Sequence, residues 1–288
     1  MTYGTRRRRF SLAALLAFAL LLCLPLAASA QEADAAAQEE SAPLVYSRYI
    51  DVPGVGPWYY YAQNDPEWKE SIYETRNGNM LREFGGGGCG PTSLAIAISR
   101  QLTPQELPAL LEFRNPLYDS FYYCSCSVNQ YHCHEHCERR SIDTAEDFLK
   151  NLPRALGSIA TGNNNLYAEY RGDFAGTSLR LFKDVATAYG LEYTTTSDWD
   201  TARQALADGY SIITTVTKGV FTNSSHYMVV ASTDEEWIYL LDPLMREHYE
   251  NDKWDYLEIL EPGLVRMKLD HLRHVSLYGF YMIRKPIQ

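Results

Sequence analysis

The feature that most constrains the fold is a change of hydrophobic period along the chain. Residues 176–190 and 198–208 show the 3.6-residue period of amphipathic helices. Later runs are rich in aromatic and β-branched residues, which predicts strands. These runs are 210–216, 226–233, 236–242 and 277–285. Helices that precede an antiparallel sheet predict an α+β fold.

The stretch at 85–93 is GGGGCGPTS, and a further helix is predicted after its glycines, over PTSLAIAISRQ at 91–101. Pro91 suits the first turn of a helix, and the mostly apolar residues after it are typical of a buried helix. Cys89 would then lie at the helix N-terminus, with the neighbouring glycines leaving room for a substrate backbone. A phosphate-binding loop is disfavoured, because no Lys follows the last glycine. Capping patterns at 103–106 and 141–151 predict two more helices.

The N-terminus has the pattern of an export signal. Residues 1–30 contain four consecutive arginines, an apolar run and an Ala-x-Ala site before Gln31. The sequence therefore predicts a bacterial signal peptide and a secreted or otherwise extracytoplasmic protein. An uncleaved anchor is the alternative, and either general or twin-arginine export fits the arginines.

Residues 31–44 are rich in Ala, Glu and Gln and contain no aromatic residue, which predicts a flexible linker. The folded domain is predicted over 45–288, with a Cys/His-rich insert at about 122–140. Loss of residues 1–30 takes the formal net charge from −10 to −14, because that segment holds four arginines and no acid. Such acidity disfavours nucleic acid as a partner, and no later segment is apolar for long enough to span a bilayer.

The odd number of cysteines after the signal segment singles out Cys89. Four of the five cysteines that follow the signal segment lie within fourteen residues, which leaves Cys89 alone. A free cysteine is usually a small buried apolar residue. At a helix N-terminus, however, the helix dipole and unpaired N–H groups favour the reactive thiolate.

A thiol nucleophile needs a base and a group that orients the base. His226 opens one predicted strand and Asp242 closes the next. If the two strands are antiparallel neighbours joined by the turn at 234–235, both residues lie at the same end of the pair. The pattern therefore predicts a Cys89, His226, Asp242 triad, although a strand-opening His or an Asp before Pro also has ordinary structural uses.

The motifs YYAQNDPEW, GGGGCGPTSLAIAIS, HYMVV and LLDP occur in the order that resembles bacteriocin-processing-type, papain-like cysteine peptidases, the C39-like family, in a secreted single-domain form. The resemblance covers about residues 55–285. It implies that Cys89 is the nucleophile, His226 the base and Asp242 the orienting group. It also implies that Gln63 donates to the oxyanion. The best-known members are transporter domains that process leader peptides, whereas this chain contains no transporter.

The insert at 122–140 combines four cysteines with three histidines. Clustered cysteines outside the cytoplasm form disulfides by default, but this set could also hold a structural Zn ion. The three possible disulfide pairings are not distinguished by sequence. The candidates are Cys124, Cys126, Cys133, Cys137, His132, His134 and His136.

These observations predict a secreted cysteine peptidase that acts on peptide or protein substrates and needs no cofactor for catalysis. Within the same chemistry, the substrate could be cell-wall peptide, or the acyl group could pass to an amine. The alternatives from other classes are a catalytically inactive secreted binding module of the same fold and a metal-binding protein centred on the insert.

Overall fold

The computed structural model describes residues 44–70, 72–74, 81–107, 120–124, 137–141, 149–153, 156–157, 177–246, 249, 255–274 and 277–287. The predicted signal peptide and nearly all of the predicted linker therefore lie outside the described residues. One compact unit spans Val45–Gln288. In the described part of the chain, no helix has the length and apolarity needed to cross a membrane.

A seven-stranded sheet, in which every neighbouring pair is antiparallel, forms the centre of this unit. In spatial order its strands are β11 (Leu257–Glu261), β12 (Leu264–Lys268), β10 (Trp237–Leu241), β9 (His226–Thr233), β8 (Ser211–Val216), β13 (Leu277–Arg284) and β7 (Glu192–Thr196). The four predicted strands are confirmed as β8, β9, β10 and β13. The other three lie at or next to the sheet edges, where partly exposed faces weaken the sequence pattern of a strand.

Three two-stranded hairpins accompany the large sheet. They are β1 (Arg48–Val52) with β2 (Gly56–Tyr60), β3 (Ile72–Glu74) with β4 (Leu81–Glu83), and β5 (Ser120–Cys124) with β6 (Cys137–Ser141). The first hairpin buries alternate side chains, as a two-faced strand pair does. It delivers Tyr60 and the segment after it to the end of the sheet.

The α-helices with both ends in the described residues are α1 (Phe84–Gly87), α2 (Cys89–Gln101), α3 (Arg180–Ala188) and α4 (Trp199–Ala207). A 3-10 helix spans Leu269–His274. The predicted helix at 198–208 is confirmed as α4, whose N-cap Asp198 accepts a hydrogen bond from the Thr201 N–H. The predicted helix at 176–190 is confirmed in its central part, as α3. The predicted helix at 141–151 falls mostly outside the described residues.

The α2 helix is buried along nearly its whole length because it packs between the large sheet and the β1–β2 hairpin. Alternate residues of β9 point to opposite sides of the sheet: Val229 and Ala231 pack with α2, whereas Met228 and Val230 pack with α4. Helices together with one large antiparallel sheet confirm the predicted α+β class. The N-terminus of α2 is thereby held near the end of β9.

Candidate active site

Cys89 is the first residue of α2, two residues before the predicted helix start at Pro91, and it is partly exposed. Gly88 is the N-cap, and its carbonyl oxygen accepts hydrogen bonds from the Thr92 N–H and the Thr92 hydroxyl. The backbone N–H groups of Gly90 and Tyr227 lower the pKa of the thiol. Cys89 therefore lies where unpaired N–H groups and the helix dipole stabilise a thiolate.

The glycines around Cys89 have a different role from the one expected. A Cβ on Gly88 would lie 2.5 Å from the Phe84 ring, and one on Gly90 would lie 2.3 Å from the Thr177 hydroxyl oxygen. Both positions are therefore occupied by neighbouring side chains rather than left open for a substrate. Among Gly85, Gly86, Gly88 and Gly90, only Gly86 has no atom within 4 Å of an added Cβ.

His226 connects the thiol to a carboxylate. The β9 and β10 strands pair antiparallel and are joined by the predicted turn at 234–235, so His226 and Asp242 meet at one end of the pair. The Nε2 atom of His226 lies 2.6 Å from Oδ1 of Asp242, and both side chains are almost completely buried. The His226 side chain also interacts with the Cys89 thiol and lowers its pKa. The structure thus brings together the three residues that the sequence predicts for the triad.

The electrostatics of the three groups are coupled. Burial alone would raise the pKa of the Cys89 thiol, but its hydrogen bond and charge interaction with His226 lower that pKa. Burial alone would lower the pKa of His226, but Asp242 raises it to about 9. Burial likewise opposes the ionisation of Asp242, yet the charge and hydrogen bond of His226 keep its pKa below the usual value. The arrangement favours a thiolate paired with an imidazolium.

Gln63 lies on the segment that follows β2 and is buried. Its Nε2 donates to the Gly85 carbonyl oxygen at 2.6 Å, which directs the amide towards the glycine-rich stretch. One donor of the amide is used in this contact, and the second remains for another acceptor. Its Oε1 has no hydrogen-bond partner.

The Gln63 segment is bonded to the turn that carries Asp242. The Gln63 N–H donates to the Pro243 carbonyl oxygen at 2.6 Å, while Asn64 exchanges two hydrogen bonds with Met245 through its side-chain amide. The oxyanion candidate and the orienting carboxylate therefore share one hydrogen-bonded unit, and a shift in either segment would move the other.

The residues of this site fall within the part of the chain that matches a known protein family. A model of the Peptidase_C39 like family matches residues 59–260, which includes Gln63, Cys89, His226 and Asp242. This chain belongs to the peptidase C39-like family. Membership confirms the predicted C39-like family and the α+β, papain-like fold, and it implies a peptide or protein substrate. A comparison with curated proteins finds no match.

Sequence reasoning missed several residues around the C39-like site. The Tyr60 hydroxyl donates to the Asp242 carbonyl oxygen at 2.6 Å, and the Tyr249 hydroxyl donates to Oδ2 of Asp242 at 2.7 Å. Gly263 accepts the Asp242 N–H and lies directly against the Tyr60 ring. No local pattern marks these residues as partners, because their contacts with Asp242 span 182, 7 and 21 positions of sequence.

The insert of this C39-like chain is described only in part. The β5 and β6 strands place Cys124 directly opposite Cys137 in the register. The remaining candidates, Cys126, Cys133, His132, His134 and His136, lie outside the described residues. Within the residues that are described, no group of three or more His, Cys, Asp or Glu could hold a metal ion.

Proposed function

We propose that this member of the C39-like family is an exported cysteine peptidase that hydrolyses peptide bonds through an acyl-enzyme on Cys89. The observation that carries the proposal is the buried His226, which hydrogen-bonds the carboxylate of Asp242 and interacts with the thiol of Cys89, lowering the pKa of that thiol. A nucleophile, a base and an orienting group in contact form the arrangement that covalent acyl transfer requires.

In the proposed reaction the Cys89 thiolate attacks the carbonyl carbon of the substrate. The Cys89 N–H and the free donor of the Gln63 amide would stabilise the resulting oxyanion. Protonated His226 then gives its proton to the leaving amine, so the C–N bond breaks and a thioester remains. His226 next takes a proton from water, whose oxygen attacks the thioester, and the acid product leaves as Cys89 is restored.

Export is proposed from the signal pattern of residues 1–30. Expression of the full chain in a bacterium with an envelope fraction tests it. We expect the mature protein in that fraction to begin at Gln31. A protein that stays in the cytoplasm with residues 1–30 intact would contradict the export proposal. It would leave the proposed reaction of Cys89 unaffected.

The chemistry is tested by the rate at which iodoacetamide alkylates Cys89, followed by mass spectrometry of the Cys89 peptide across a range of pH. In the wild type we expect a plateau that is already reached near neutral pH, and we expect His226→Ala to abolish it. His271→Ala is the matched control, because His271 also pairs with a carboxylate, Asp270 at 2.6 Å, but belongs to the 3-10 helix. It should leave the plateau unchanged.

A rate that rises only around the free-thiol pKa of about 8.5 in wild type and His226→Ala alike would contradict the proposal and favour an inactive binding module. If the plateau is present, digestion of casein and of cell-wall peptide, with Cys89→Ala as the blank, identifies the substrate class. Products that carry an added amine in place of water would indicate acyl transfer.

For the insert we propose disulfides rather than a metal. The register that sets Cys124 opposite Cys137 supports a covalent link across β5 and β6. The Cα atoms of directly opposed antiparallel residues lie about 4.5–5.5 Å apart, which is within the range that a disulfide spans. Peptide mapping of the non-reduced protein should recover Cys124 joined to Cys137. One equivalent of zinc in the purified protein, with all four cysteines reduced, would contradict the disulfides and support the metal site.

A further inference from the structure

Asp242 is surrounded by donors on both of its carboxylate oxygens. Oδ1 accepts from His226 Nε2 at 2.6 Å and from the Leu244 N–H at 2.8 Å. Oδ2 accepts from the Tyr249 hydroxyl at 2.7 Å, and Nε of Arg246 lies 3.8 Å from the same oxygen. Only His226 of these groups also contacts the thiol, so the donors on Oδ2 serve the carboxylate itself.

Tyr249 is held firmly in this position. Its side chain is 4% exposed, and its ring packs edge-to-face against Phe221 with the ring centroids 5.5 Å apart. The guanidinium of Arg246 lies 5.2 Å from the centroid of the same ring. The hydroxyl therefore has little freedom to leave Asp242.

The other titratable or charged neighbours of this carboxylate come from three elements, β1, β2 and α2. Tyr60 on β2 donates to the main-chain oxygen of Asp242, and the Arg48 guanidinium on β1 lies 5.5 Å from the Tyr60 ring centroid. Cys89 on α2 is reached through His226. Neither Tyr60 nor Cys89 hydrogen-bonds Oδ2, which leaves that oxygen to Tyr249 and Arg246.

We propose that Tyr249 and Arg246 are positioning residues that keep Asp242 ionised and turned towards His226, and so maintain the thiolate–imidazolium pair in acid. This inference rests on the proposed function and deepens it. A buried carboxylate oxygen without a donor is costly, and protonation or rotation of the carboxyl group relieves that cost. Either change would take the negative charge away from the imidazolium.

The pKa shifts of Asp242 and Tyr249 agree with this geometry. Burial alone would raise the pKa of Asp242, and the pKa is nevertheless lowered by His226, then by Arg246 and by the hydrogen bond from Tyr249. Burial and the charge of Asp242 raise the pKa of Tyr249 well above its ordinary value. The phenol therefore remains a donor throughout the working pH range.

The test compares the acid side of the Cys89 alkylation profile in wild type and Tyr249→Phe. We expect the acid limb of the variant to move up by about one pH unit, because one hydrogen bond to an ionised group is lost, while the alkaline end stays in place. A purely structural role would lower the rate at every pH without moving the limb.

Tyr239→Phe is the matched control. Its hydroxyl donates to Oδ2 of Asp234 at 2.9 Å, which is the same kind of contact on the same strand pair but at the far turn. We expect its acid limb to coincide with that of the wild type. A shift of equal size in Tyr239→Phe would overturn the assignment to Tyr249.

A second variant, Arg246→Met, removes the cation and keeps an apolar stem, so it should move the acid limb in the same direction. It also serves as the test if Tyr249→Phe does not fold by circular dichroism. A wild-type plateau with an unmoved limb in the folded variants would overturn this inference alone. Absence of the plateau in the wild type would overturn the proposed function itself.

Discussion

Asp242 and Glu192 are carboxylates with the same kinds of partner in opposite surroundings. Each accepts a tyrosine hydroxyl, from Tyr249 at 2.7 Å and from Tyr210 at 2.8 Å respectively. Each also lies beside an arginine, at 3.8 Å for Asp242 and 2.6 Å for Glu192. The Asp242 side chain is 1% exposed, whereas that of Glu192 is 40% exposed.

The difference shows what burial adds to the same set of contacts. The pKa of Glu192 is lowered directly by its hydrogen bonds from Arg284 and Tyr210. For Asp242 burial is the largest influence and acts in the other direction, so the carboxylate is ionised only because several donors act together. At the surface, water replaces any lost partner and ion pairs contribute little to stability. In the interior a lost partner leaves an uncompensated charge.

The largest expected effect is that of Asp242→Asn, which keeps the shape of the carboxyl group and removes its charge. Without the carboxylate, the imidazolium is no longer stabilised and the Cys89 pKa returns towards the free value. A thiol with a pKa of about 8.5 is ionised to only about 0.3% at pH 6, so alkylation at that pH should fall by roughly 300-fold. Glu192→Gln should leave the alkylation rate unchanged. Equal losses of rate in both variants would show that burial does not distinguish the two carboxylates.

The titration of His226 provides the next test. NMR of the imidazole should give a midpoint near 9 in the wild type, because Asp242 outweighs the opposing effect of burial. A folded-state pKa above the unfolded value of about 6.5 stabilises the protein fully below that pH, and the contribution is lost as the pH rises through about 9. In Asp242→Asn the midpoint should drop below 6.5. A midpoint that stays near 9 would show that another group holds the charge.

Gly263→Ala tests the backbone that supports Asp242. Gly263 has φ +93°, and an added Cβ would lie 2.4 Å from the Tyr60 ring. Gly209 has a similar φ of +86°, and no atom lies within 4 Å of an added Cβ there. Gly209→Ala therefore introduces the backbone strain without a side-chain clash. We expect Gly263→Ala to lower the free energy of unfolding by about 1–3 kcal/mol more than Gly209→Ala in urea denaturation. Equal losses of unfolding free energy in the two variants would show that the Tyr60 ring moves aside without destabilising the protein.

The smallest effect is expected at the exposed carboxylate. Tyr210→Phe removes the hydroxyl that Glu192 accepts, but water can replace it. Its urea denaturation curve should coincide with that of the wild type. Tyr249→Phe should lower the free energy of unfolding by about 1–3 kcal/mol, because Oδ2 of Asp242 is buried. A clear loss in Tyr210→Phe would mean that exposure does not separate the two sites.

Much of the site could be predicted because its signals are local. The isolated Cys89 before Pro91, and the positions of His226 and Asp242 at the ends of successive strands, followed from short patterns and one turn. The role expected of Gly88 and Gly90 was wrong in detail, since Phe84 and Thr177 occupy the space beside them. Close packing between segments that are distant in sequence does not change the hydrophobic period of either segment, so it could not be predicted from that period.

The sequence by itself determined the α+β class, the strands β8, β9, β10 and β13, and the residues of the candidate triad. Periodicity, turn residues and helix-start signals act over a few positions, so they can be read without a fold. Only the tertiary structure decided which groups surround Asp242. Tyr60, Arg246, Tyr249 and Gly263 meet that carboxylate or its backbone because β2, the segment after β10, and the turn between β11 and β12 converge at one end of the sheet. The balance of desolvation and hydrogen bonding there depends on that convergence, which no local pattern encodes.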